Sequence, residues 1–95
     1  MFAVTVTFTL KPGVREVFLP LMIENAASSL RNEPGCRQFD VCVGDESQTV
    51  FLYEVYDDAA SFEAHLESAH FKSFDTAVAN MIANKTVVLF SEVIR

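Results

Sequence analysis

Cys36-Arg-Gln-Phe-Asp-Val-Cys-Val43, the five residues Gly-Asp-Glu-Ser-Gln at 44–48, and Thr49-Val-Phe-Leu-Tyr-Glu-Val-Tyr56 lie at the middle of the chain. The first run alternates, with Phe39, Val41 and Val43 opposite Gln38, Asp40 and Cys42, as a half-buried strand does. The 44–48 segment has the composition of a hairpin loop. The run after it is apolar on both faces: Phe51, Tyr53 and Val55 on one, Val50, Leu52 and Tyr56 on the other. A strand of that kind is central, or lies in a sheet covered on both sides.

Working outward, Phe2, Val4, Val6, Phe8 and Leu10 alternate with Ala3 and three threonines, which predicts a first strand over 2–10. Lys11-Pro12-Gly13 breaks it. A helical stripe follows from Val14 to about Asn32, carrying Phe18, Leu21, Met22, Asn25, Ala26, Ser29 and Leu30. Pro20 inside it predicts a kink or a later start, and Glu33-Pro34-Gly35 ends it. After the hairpin, Asp57 or Asp58 can cap a helix whose inner face holds Phe62, His65 and Leu66. Ser68 offers a second cap, ahead of an inner face of Phe71, Phe74, Val78, Met81 and Ile82. A last strand is expected over 86–94. The order β-α-β-β-α-β, with the second helical segment broken in two, is that of a ferredoxin-like split β-α-β fold, an α+β class.

The 95 residues make one domain, 1–95. An apolar fraction of 51% exceeds what so small a core hides, so a second buried face is expected, most simply in a homodimer. A net charge of −6 without a basic cluster speaks against nucleic acid and against anionic membrane surfaces. No apolar run approaches the roughly 18–20 residues that span a bilayer, and the alternating N-terminus does not read as a signal peptide. Cys36 and Cys42 share a strand and cannot pair within it; two free thiols suit the cytoplasm.

Both histidines, His65 and His70, fall in one short stretch among phenylalanines. Imidazole titrates nearest neutrality, which makes His65 on the inner face a candidate acid/base. Its bland alternative is a hydrogen-bonded core residue. Five residues along one continuous helix turn His70 about 140° away from His65. A shared metal is therefore not expected, no H-E-x-x-H or C-x-x-C is present, and His70 reads as a brace at the helix junction. Asn25 needs a partner if buried: either its own helix backbone or a ligand oxygen. Tyr53 and Glu54 point to opposite faces of their strand. Helices over the Tyr53 face would bring Tyr53 into a pocket and leave Glu54 to a salt bridge with Arg37 or Arg95. Phe39, Phe62, Phe71, Phe74 and Met81 could wall a pocket of aromatic size, although core packing is the plainer reading of each.

Three segments taken together, Glu33-Pro-Gly-Cys36-Arg-Gln-Phe39-Asp40-Val41, Tyr53-Glu54-Val55-Tyr56-Asp57 and His65-Leu-Glu-Ser-Ala-His70-Phe71, resemble the antibiotic biosynthesis monooxygenase (ABM) family over nearly the whole chain. The nearest look is to its small quinol monooxygenases and the related autoinducer-2 phosphate isomerase. The resemblance implies a dimeric α/β barrel with a pocket between each sheet and its own helices. It also implies cofactor-free oxygenation of an electron-rich aromatic, with His65 as acid/base and Asn25 or Tyr53 orienting the substrate. An isomerase of a small phosphorylated ketone, with Lys72 near the motif, and a non-catalytic binding dimer are the alternatives. Heme-degrading relatives use a Trp and a first-strand Asn; this chain has neither, so heme chemistry is not expected. Neither a cofactor nor a metal is expected.

Overall fold

The computed structural model describes residues 1–45 and 47–95. Its elements are β1 (Phe2–Leu10), α1 (Arg15–Asn32), β2 (Cys36–Val43), β3 (Thr49–Tyr56), α2 (Ala59–Glu67), α3 (Ala69–Val78), a 3-10 turn (Ala79–Met81) and β4 (Ile82–Phe90). The strands form one antiparallel sheet in the order β2-β3-β1-β4. This is the expected ferredoxin-like α+β arrangement, with β3 and β1 central. Glu46, within the expected 44–48 loop, lies outside the described residues.

Alternation on β1 places Val4, Val6, Phe8 and Leu10 under the helices, where they pack with Phe18 and Met22 of α1 and Phe74 and Val78 of α3. Phe18 anchors this core, with edge-on contacts to Phe8 and Phe74 at centroid distances of 5.3 and 5.8 Å. α1 begins at Arg15, one residue after Val14, and runs through Pro20, so the proline does not set its start. Pro20 and Glu16, whose carbonyl would have accepted the missing N–H, both lie on the exposed side, where water replaces the lost bond. Leu21 and Leu30 of the expected stripe are also largely exposed.

Two junctions position the site. Gly35 follows the α1 end, and a Cβ there would collide with the Ser61 side chain, so only glycine lets α2 start this close to β2. Asp58 caps α2, accepting from the Ser61 N–H at 2.8 Å. Ser68, extended at φ −67° and ψ 148°, then interrupts the helix and caps α3 by accepting from the Phe71 N–H at 3.2 Å. The last strand spans 82–90 rather than 86–94, because Ala79–Met81 tightens into a 3-10 turn and releases Ile82 to pair with Leu10. Met81 therefore ends in that turn instead of on a helix.

Candidate functional site

Cross-strand register decides which strand residues meet the helices. Val4 lies opposite Glu54 and Val6 opposite Leu52, so Glu54 shares the helix-facing side of the sheet. Tyr53, paired with Thr5, is on the other side. This reverses the expectation for both residues. Arg37 bonds the Asp57 carboxylate at 2.6 and 3.2 Å, and among the described residues Glu54 makes no salt bridge, Lys85 being the cation whose charge acts on it. Period 2 could not choose a face in a strand apolar on both.

Between the helices and this side of the sheet lies a cavity of about 50 Å³, lined by residues from all four strands and all three α-helices. Phe39, Phe62, Phe71 and Phe74 lie in its wall; Met81 and Tyr53 do not line it. Its ionisable and amide groups are Asn25, Glu54, His65 and Lys85.

His65 is 2% exposed and its ring is surrounded by Phe39, Tyr56, Phe62 and Phe71 at centroid distances of 5.0–6.3 Å. Burial lowers its pKa and outweighs the opposing pull of Glu33, so the ring is neutral at pH 7. Nδ1 lies 2.9 Å from Glu33 Oε2 and 3.2 Å from Ser29 Oγ. A carboxylate can only accept, so Nδ1 carries the proton and Nε2 keeps its lone pair. No hydrogen-bond partner of Nε2 occurs among the described residues. Glu33 thus orients a neutral ring that lines the cavity and whose Nε2 lone pair is not used by the described residues.

Glu33 is the C-cap of α1, and its backbone N–H bonds the Ser29 carbonyl at 3.0 Å. One helical turn separates the two side chains, which places Ser29 Oγ and the Glu33 carboxylate together. Burial alone would raise Glu33, but bonds from His65, Ser29 and His70, with the attraction of His65, hold its pKa below the usual value. His70 joins from the far side of the Ser68 break, with Nε2 at 2.6 Å from Glu33 Oε2 and 3.1 Å from Ser29 Oγ. The angular separation expected of one continuous helix does not apply, because the extended Ser68 redirects the chain. Both histidines meet on one carboxylate oxygen.

Glu54, 3% exposed, was missed as a cavity residue. Desolvation, with a smaller push from Glu33, raises its pKa to about 7, against the 2.6 Å hydrogen bond that the Tyr56 hydroxyl donates. The same burial, together with Glu54, keeps the Tyr56 phenol protonated. Asn25, 4% exposed, lines the cavity with a buried Oδ1 that has no partner among the described residues. Intrahelical bonding does not account for that oxygen, whereas a ligand donor would. Cys36 is buried and Cys42 exposed, and both are free.

Among the described residues no helix is long and apolar enough to cross a membrane. The family model for antibiotic biosynthesis monooxygenase matches residues 1–77. No curated protein matches the chain in sequence. Solved structures do. A candidate antibiotic biosynthesis monooxygenase from Nitrosomonas europaea is 28% identical, with TM-score 0.89 over 96% of this chain and 88% of its own. A structure described as an antibiotic biosynthesis monooxygenase is 26% identical, with TM-score 0.87 over 98% and 99%. Rv0793 from Mycobacterium tuberculosis, at 21% identity and TM-score 0.89 over 99% and 96%, shares the fold. With four-fifths of its length matched by one family model and this sheet order beneath the helices, the chain belongs to the antibiotic biosynthesis monooxygenase family.

Proposed function

We propose that the protein is a cofactor-independent monooxygenase of a small quinol-like ring. The observation that carries this reading is the buried His65 base, tethered at Nδ1 by Glu33 and ringed by aromatic side chains. His65 Nε2 takes a phenolic proton, and the Asn25 amide, unpartnered at Oδ1, holds a substrate hydroxyl. In a dry cavity the resulting anion is poorly solvated and readily passes an electron to O₂. Atoms and electrons then balance without another reductant. One oxygen atom enters the ring and the other leaves as water, while the quinol loses four electrons to become a hydroxyquinone. Glu54, poised near neutrality, can return a proton to the departing oxygen.

Cavity size narrows the substrate. About 50 Å³ lies below even the roughly 150 Å³ of a cavity that takes up benzene, so a single ring must open the cavity as it enters and a polycyclic skeleton would have to open it much further. For the ketone-phosphate reading, Lys72 is exposed and bonds Glu67 at 3.0 Å outside the cavity, and the basic side chain that does line the cavity is Lys85 of β4. A phosphate would also meet the Glu54 carboxyl. Oxygen uptake with a panel of single-ring hydroquinones tests the proposal. Uptake by wild type and its loss in His65→Ala are expected. No uptake with any quinol, or equal rates in both proteins, would overturn it.

The same reading includes a second copy of the chain. β4 is exposed on both faces, with Val88 44% and Leu89 54% accessible, and Phe51 and Phe90 are also exposed. Such a strip of apolar side chains is normally covered. Sedimentation should give a dimer, and Val88→Asp should shift it toward monomer; a wild-type monomer at all concentrations would sink the assembly.

A further inference from the structure

The junction of α1, α2 and α3 holds a donor set that base catalysis alone does not require. We propose that Ser29, Glu33, His65 and His70 form a site for a zinc-type divalent cation. The three nitrogen and carboxylate donors lie within 4.8 Å of one another. His65 Nδ1 and His70 Nε2 are 2.9 and 2.6 Å from Glu33 Oε2, and 3.2 and 3.1 Å from Ser29 Oγ. Around a tetrahedral zinc ion with ligand bonds of about 2.0–2.1 Å, neighbouring donors are about 3.3 Å apart. These four imidazole-to-oxygen separations span 2.6–3.2 Å, and opening them by roughly 0.1–0.7 Å brings the donors to that spacing. Two imidazoles and a carboxylate are the mixed donors such an ion takes.

A second observation favours a ligand here. Glu33 Oε1 is buried without a partner among the described residues, whose hydrogen bonds leave the carboxylate half satisfied. An ion held by Oε2, or by both oxygens, removes that deficit. Entry is provided by His70, which lines an open groove between α1 and α3 together with Ser28 and Ser73.

Occupancy would also act on the cavity, a consequence that rests on the reading of His65 as the base. An ion on Nδ1 displaces its proton, and a neutral imidazole then carries its single proton on Nε2. The lone pair that would accept the substrate proton becomes an N–H donor. Zinc would therefore switch the base off, reversibly.

Titration calorimetry with zinc chloride on chelator-treated protein, and visible absorption with cobalt(II), test the site directly. One ion per chain and the absorption of tetrahedral cobalt are expected in wild type. Glu33→Gln and His70→Asn, each checked for folding by circular dichroism, should weaken binding at least about tenfold. No binding to wild type, or binding unchanged in both folded variants, would overturn the site. Stoichiometric binding without inhibition of quinol turnover would uphold the site and remove His65 as the base.

Discussion

Two buried carboxylates, Glu33 and Glu54, have been pushed in opposite directions. Glu33 sits where α1 ends and three side chains converge on it, and its pKa is lowered. Glu54 sits in mid-strand against an apolar cavity with one phenol donating to it, and its pKa rises to about 7. Burial acts on both in the same sense, so the number of donors decides the outcome. A carboxylate with several donors stays charged and orients a neighbour, whereas one with a single donor becomes a group that can hold or release a proton at neutral pH.

The largest expected effect falls on the group that links the two regions. His65→Ala removes the base and should lower turnover by about 10²–10⁴-fold, read by oxygen uptake. Next is the pH dependence of stability set by Glu54. Its folded pKa, about 7, lies above the unfolded value of about 4.5, so the unfolded chain loses its proton first as pH rises. Stability from this group is complete below about pH 4.5 and declines toward pH 7, by on the order of 3 kcal/mol. Glu54→Gln should abolish that decline, so that urea unfolding finds the variant the more stable protein at pH 8. Persistence of the slope would place the raised titration elsewhere.

Glu33 should show the reverse sign. Its lowered pKa gives stability that is present above about pH 4.5 and lost as pH falls through the folded value. Glu33→Gln should remove that acid-side loss and reduce kcat about 10–100-fold with KM little changed, because a neutral amide holds Nδ1 less firmly. A KM effect alone would mean that Glu33 serves binding. The smallest effect belongs to Tyr53→Phe. On the far face of the sheet from the cavity, it should leave turnover within about twofold, the scatter expected of a distant surface change; a large loss would return Tyr53 to the site.

Much of this was legible in the chain. Alternation outlined β1 and β2, an apolar run after the hairpin segment outlined β3, and Ser68 marked the break between α2 and α3. Asn25 and His65 stood out because a polar side chain on an apolar stripe needs a reason. β4 was read four residues late because the inner stripe of α3 continued, on paper, through Met81 and Ile82. Glu54 was missed for a different reason. With apolar neighbours on both sides, its strand carries no periodic sign of which face meets the helices, and only pairing with β1 supplies one.

Hydrogen bonding and periodicity within a few residues make three things readable from the chain alone: the element order, the apolar stripes, and capping at Ser68 and at Asp57 or Asp58, between which the fold selects Asp58. The meeting of Glu33 with His65 and His70, 32 and 37 residues away, belongs to the tertiary structure alone. So does the turning of Glu54 inward and Tyr53 outward. Both depend on register and on the angle at one extended serine, which set side chains in space through contacts that no local pattern encodes.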